Sequence, residues 1–313
     1  MKELLQRRYR RESDGATSSS LRALAGEAPA LDPTGLRAAL GELEGDTSSC
    51  LRGIAAVPPP AWPELPPAGS LALALRRACE ELPAGPLPLA LSGGLDSAVL
   101  LAVLRDRAIP YTLATGLPGY DESPRAGAVA DALGVELRLV HVGPADLVDA
   151  LPAAVRAAEA PLWNLHPVSR LLLARRIAAE GFRQLVAGDG ADELFRGTSG
   201  QDHLPIAAAL TGAAGLALHA PYLSAALHPF AGSDPLKREL RALGRALGLP
   251  ALVTDGPKQP MLAPPLDLTS LWDDPWIERL GRTLGRQPCR DTDRETVGWT
   301  TLALFARHFS CAA

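Results

Sequence analysis

Apolar and polar positions in the middle of the chain switch repeatedly between two periods. Residues 86–91 are a short apolar run bounded by prolines, the pattern of a strand buried on both faces, and residues 98–104 form a longer apolar run with the length of a buried helix. Further strands are predicted over 111–115, 135–142 and 183–187, with helices over 71–82, 125–133, 145–159 and 168–180. Strands alternating with helices of this length predict an α/β fold: a parallel sheet covered by helices on both faces, with ligands at the carboxyl ends of the strands. From Asp189 onward the pattern is helical, broken by Pro and Gly, and predicts no strand. The first 68 residues read as a short charged helix, a Ser/Gly-rich stretch, a helix near 34–44 and a stiff proline cluster over 58–67. The expected organisation is an N-terminal helical and proline-rich segment over 1–68, an α/β core over 69–200, and a mostly helical part over 201–313.

Composition narrows the function classes. A formal net charge of −4 implies no basic face, so nucleic acid is not an expected partner. Cys50, Cys79, Cys289 and Cys311 lie far apart without a Cys-x-x-Cys pair, which excludes a zinc knuckle, a redox pair and a disulfide scaffold and points to a reducing cytoplasm. The charged residues 1–11 lack the apolar run of a signal peptide. Residues 203–233 contain no Asp, Glu, Lys or Arg, yet Ala, Gly and Thr dominate them and Pro205, His219, Pro221, His228 and Pro229 interrupt them. They read as buried helices of a soluble protein, not as a membrane span.

Candidate chemistry lies at two strand ends. After the first core strand comes Ser92-Gly93-Gly94-Leu95-Asp96-Ser97, two glycines and two hydroxyls opening a helix. Glycines let the backbone approach an anion, and the unpaired N–H groups of the helix start point at it. A plain helix start capped by Ser97 or Asp96 is the structural alternative. The spacing matches neither the Gly-Lys-Ser/Thr phosphate loop nor the Gly-x-Gly-x-x-Gly dinucleotide turn. At the end of the fourth strand stands Gly188-Asp189-Gly190-Ala191-Asp192-Glu193-Leu194-Phe195, with three carboxylates in five residues. This is either a solvated acidic turn capping a helix or one wall of a cleft. In the second case Asp96 and Asp192 face each other and hold Mg²⁺ on a triphosphate, since a hard cation takes carboxylate and phosphate oxygens.

The first motif resembles the Ser-Gly-Gly-x-Asp-Ser loop of the PP-loop ATP pyrophosphatases. Together the two resemble the synthetase domain of glutamine-dependent asparagine synthetases and their relative β-lactam synthetase. Thr115-Gly116-Leu117-Pro118-Gly119 with Asp121-Glu122 is similar to the family's second-strand segment. Lys237-x-x-Leu240-Arg241, Leu249-Pro250 and Lys258 after Gly256-Pro257 resemble its lysine-bearing segment. Only three of the 31 basic residues are lysines, Lys2, Lys237 and Lys258, and two of them fall at the family's positions. For Lys237 a salt bridge or capping role stands beside a catalytic one.

The resemblance implies an AMP- and pyrophosphate-forming amide ligase with ATP and Mg²⁺ as cofactors. A substrate carboxylate attacks the α-phosphorus, and an amine or ammonia then displaces AMP. In that reading Ser92, Gly93, Gly94, Leu95, Asp96 and Ser97 hold pyrophosphate. Leu91, Thr115, Gly116 and Gly188 line the adenosine, Asp96 and Asp192 hold the metal, and Lys237 serves ATP binding. Lys258 stabilises developing charge, and Asp189, at the family's Glu position, holds or deprotonates the amine.

Departures from the family fall on the substrate side. Ala217, His219 and Ser224 stand where it has Glu, Arg and Asp, and Arg196 replaces a Gly, which implies an acid other than aspartate, as in a tailoring enzyme of specialised metabolism. Position 2 is Lys2, not the glutaminase cysteine, and only 91 residues precede the cradle. The amine is therefore expected as free ammonia, a small amine, an amine on the substrate itself (ring closure, as in β-lactam synthetase), or ammonia from a separate glutaminase subunit. A homodimer is compatible with the pattern. The alternative from another class is a catalytically idle ATP-binding scaffold that keeps the fold.

Overall fold

The computed structural model describes residues 2–40, 49–63, 65–66, 69–162, 164–196, 203–256, 266–290 and 292–311. Its strands in chain order are β1 (Tyr9–Arg11), β2 (Thr17–Ser18), β3 (Ile54–Ala56), β4 (Leu87–Ala90), β5 (Ala108–Ala114), β6 (Arg138–His141), β7 (Gln184–Val186) and β8 (Ala217–His219). The chain divides into two compact units. One comprises Met1–Leu5, Pro60–Gly143 and Arg170–Pro260, the other Gln6–Pro59, Pro144–Ser169 and Met261–Ala313.

The first unit is built on a five-stranded parallel sheet in the order β6-β5-β4-β7-β8. Side chains of successive strand residues point to opposite faces, and both faces are buried here. Leu87, Leu89 and Val186 pack on one side with Val99, Leu100 and Leu101 of the Leu95–Leu104 helix and with Ala126 and Val129 of the Ser123–Leu133 helix. Tyr111 and Leu185 pack on the other with Leu173, Ala174 and Ile177 of the His166–Ala179 helix. The doubly covered parallel sheet predicted from the alternating pattern is therefore present, and its carboxyl ends lead into the two glycine motifs.

Beyond Asp189 the sequence predicts no strand, and here the structure differs. Ala217–His219 forms β8, pairing in parallel with β7 through Gln184↔Ala217, Leu185↔Leu218 and Val186↔His219. Three residues are too few to show a period, so tertiary pairing settles this strand. The uncharged stretch 203–233 otherwise forms the His203–Ala213 helix and two short 3₁₀ turns, Pro221–Leu223 and Ala225–Phe230. Among the described residues no helix is long and apolar enough to cross a membrane.

In the second unit β2-β1-β3 form a small antiparallel sheet, with Tyr9 opposite both Ser18 and Ala56. The sequence marks only helices in this part of the chain, because strands of two or three residues give no readable alternation. The Pro33–Ala39 helix does fall where one is predicted, with Asp32 as its cap, accepting from Thr34 N at 2.9 Å. Glu159 ties this unit together: its carboxylate accepts from Ser20 Oγ at 2.8 Å and from the backbone N–H of Leu21 at 2.5 Å.

Candidate functional site

The site is built where β4 gives way to the Leu95–Leu104 helix. Leu91 is buried and extends the ladder, its N–H donating to Tyr111 O at 2.8 Å. Gly93 then takes φ +68°, and a Cβ there would stand 2.6 Å from Arg125 Cβ and 2.8 Å from Ala126 N. Only glycine lets the loop lie this close to the neighbouring helix. The helix starts at Gly94, and no side chain caps it. Ser97 Oγ is turned inward, accepting from Ser92 N at 3.2 Å and donating to Gly94 O at 3.3 Å. The capped-helix alternative thus does not describe this turn. A loop braced from within, ahead of uncapped N–H groups, suits an anion.

Asp96 and Asp192 converge. Lys237 Nζ donates to Asp96 Oδ1 and Oδ2, both at 2.7 Å, and reaches Asp192 Oδ1 at 2.9 Å. Lys237 is buried, and its backbone sits in the left-handed region at φ 54°, a conformation costing a non-glycine residue about 1 kcal/mol or more. That strain is held at the residue just before the Arg238–Ala246 helix, its N-cap position, from which the side chain reaches the two acids. Of the two readings of Lys237, the structure displays an ion pair, and one that marks a cation position between the carboxylates. Hard oxygens meeting at one point fit a divalent ion. Among the described residues no group of three or more His, Cys, Asp or Glu side chains could hold a metal by itself, so phosphate oxygens would have to complete the shell.

The second motif closes on the first. Gly188 stands so near the helix start that a Cβ would lie 3.0 Å from Ser97 N and 3.1 Å from Asp96 Cβ. The hydroxyl of Tyr222, fully buried, donates to Asp96 O at 3.0 Å. Thr115 and Gly116 follow β5 in a loop that Asp121 fastens by accepting from Gly116 N at 2.7 Å and Ser123 N at 2.9 Å. Lys258 lies outside the described residues.

Asp189 has a partner the sequence reading missed. Arg170 Nη2 donates to its Oδ1 at 3.1 Å and Oδ2 at 2.9 Å. Arg170 falls on the stripe of Leu173, Ala174 and Ile177 in the His166–Ala179 helix, all three buried. A charged residue on a buried helical stripe was the available signal.

Next to it, Glu193 is 1% exposed and binds His203 Nε2 through Oε1 at 2.9 Å. Partial burial opposes charge on His203, but the hydrogen bond and charge of Glu193, with the charges of Asp189 and Asp192, win and raise its pKa above the ordinary 6.5. A raised folded-state pKa stabilises the fold while the ring is protonated. This contribution is complete below about pH 6.5 and is lost as pH rises through the raised value. Wild type is therefore expected to lose unfolding free energy over that window relative to His203→Gln, measured by urea denaturation at a series of pH values. Parallel curves for the two proteins would refute the pairing.

Parts of the chain are similar to known proteins. Amidase chyE of Penicillium rubens is 30% identical over 130 residues, covering 36% of this chain and 19% of the relative. Asparagine synthetase B of Escherichia coli, described as glutamine-hydrolyzing, is 27% identical over 129 residues, covering 36% of this chain and 23% of the relative. The matched stretch thus spans about a fifth of either relative's length. The solved structure of NMN synthetase from Francisella tularensis is similar over 78% of this chain and 94% of that chain, at 17% identity and a TM-score of 0.39. Because the asparagine synthase family profile matches residues 71–270, well over half of the sequence, the chain belongs to the asparagine synthase family, a family of ATP-dependent amide-forming synthetases.

Proposed function

We propose that this chain activates a carboxylic acid with ATP, releasing pyrophosphate, and passes the acyl group from its adenylate to ammonia or another amine. The observation that carries this reading is the convergence of Asp96 and Asp192 on one cation beside an uncapped glycine turn. Backbone N–H groups within residues 92–97, other than those of Ser92 and Gly94 that the loop's own hydroxyls engage, would receive the departing pyrophosphate. Asp96 and Asp192 would hold Mg²⁺, which supplies charge neutralisation on the phosphates. Lys237 keeps the two acids together and serves the same phosphates. Catalysis here is positioning and charge compensation, because the nucleophile is already an anion. Asp189 would hold the incoming amine and accept its proton. Ala217, His219 and Ser224 in place of the charged set favour an acid other than aspartate.

The test is incubation with ATP, Mg²⁺, ammonia and a broad panel of carboxylic acids, reading AMP, pyrophosphate and amide by mass spectrometry. Equal amounts of the three from one acid are expected. Formation of ADP and phosphate, or no acid-dependent turnover across the panel, would refute the assignment.

A further inference from the structure

The described charged groups around the second motif are nearly all spent on one another. Lys237 gives its ammonium to Asp96 and Asp192, and His203 gives Nε2 to Glu193. Arg170 differs. One of its nitrogens, Nη2, serves both oxygens of Asp189, while Nη1 is buried and has no hydrogen-bond partner. A guanidinium normally meets a carboxylate with two parallel bonds from two nitrogens. Here one nitrogen carries the pair and the other is kept back. A buried donor left without an acceptor is costly and demands an explanation. The group also has a defined place, because Asp189 directly follows Gly188, which abuts Asp96 and Ser97 at the start of the nucleotide helix.

An acid entering this region meets three partly open carboxylates, Asp96, Asp189 and Asp192. Of the cations bonded to these acids and to Glu193, namely Lys237, His203 and Arg170, it is Arg170 that holds a buried nitrogen with no acceptor. Resting on the ligase reading above, we infer that Arg170 is a catalytic residue whose Nη1 binds the oxygen of the substrate carboxylate that does not attack phosphorus. In the first half-reaction the other oxygen bonds to the α-phosphorus as the bond to pyrophosphate breaks, and pyrophosphate leaves with that electron pair. The oxygen on Nη1 becomes the carbonyl oxygen of the acyl-adenylate. In the second half-reaction the amine nitrogen bonds to the carbonyl carbon, and negative charge collects on that oxygen. It then collapses, the bond to AMP breaks, and the nitrogen's proton passes to Asp189. A donor that gains strength as charge develops is what lowers such a barrier. Asp189 and the acyl oxygen would share one guanidinium, so the amine and the carbon it attacks are held by the same group.

The test uses two stable probes, 5′-O-sulfamoyladenosine and its N-acetyl derivative, which adds the acyl carbonyl. Binding is measured by calorimetric titration, with AMP as the control. Wild type is expected to prefer the acetylated probe by about tenfold or more, the worth of a hydrogen bond to a charged group. Arg170→Met should lose that preference while keeping its affinity for AMP. Arg170→Lys preserves a cation for Asp189 without the second donor edge and should lose the preference as well, which covers the case in which the Met variant does not fold. Wild type that binds AMP without preferring the acetylated probe, or an Arg170→Lys protein with the wild-type preference, overturns this assignment and leaves the ligase reading standing. Wild type that binds neither AMP nor either probe overturns both.

Discussion

Asp96→Asn is expected to lower acid-dependent pyrophosphate release by about 100-fold to 1000-fold, the range seen when a charge-stabilising group is removed from a reaction centre. The substitution keeps shape and removes charge. Asp96 lies in the first turn of the Leu95–Leu104 helix, and both its oxygens accept from Lys237 Nζ. An amide there would leave Asp192 alone to meet that cation, and it would also set an N–H₂ group toward the ammonium. The fold should persist, because Tyr222 bonds the backbone carbonyl of residue 96 and not its side chain. Steady-state release assays, paired with melting curves of both proteins, check this. A variant with near wild-type turnover would remove Asp96 from the machinery.

Gly93→Ala is the second large effect, and it acts on stability. The added methyl would sit 2.6 Å from Arg125 Cβ, 2.8 Å from Ala126 N and 3.0 Å from Arg125 C, at a backbone φ of +68°. Two of these three neighbours are backbone atoms of the adjoining helix and cannot swing aside. Crowding of this kind costs about 1–3 kcal/mol, and the left-handed conformation adds roughly 1 kcal/mol for a residue with a Cβ. Gly116→Ala is the informative comparison. It also has a positive φ, +64°, but nothing lies within 4 Å of its Cβ position, so only the conformational part remains. Chemical denaturation should rank wild type above Gly116→Ala and Gly116→Ala above Gly93→Ala. Equal losses in the two variants would mean that the tight approach of loop and helix contributes nothing.

The central part of the fold and half of the site were legible in the sequence for a physical reason. Leu87 and Leu89 lie in a strand buried on both faces, and the Leu95–Leu104 helix is apolar nearly all round, so composition and period coincide there. Gly93 and Gly188 mark close approaches of the backbone to neighbouring elements, and at Gly93 a side chain has no room. Strands β1, β2, β3 and β8 were not legible, because two or three residues define no period and their pairing is fixed by distant partners such as Gln184 and Leu185. Arg170 escaped for a related reason. Its role comes from a buried stripe meeting an acid nineteen positions away, a relation that spacing within one helix does not encode. Tyr222 stands in a segment read only for the charges it lacks, although its hydroxyl braces the first turn of the Leu95–Leu104 helix.

The ammonium of Lys237 has one more implication. Two carboxylates brought together without a counter-ion would repel and tend to force the cradle apart, so many metal sites assemble only when loaded. Here the chain supplies its own counter-charge, and Lys237 would keep the two acids together without a metal. Magnesium arriving with a nucleotide would enter by exchange into a ready seat, and treatment with a chelator should leave the resting architecture intact.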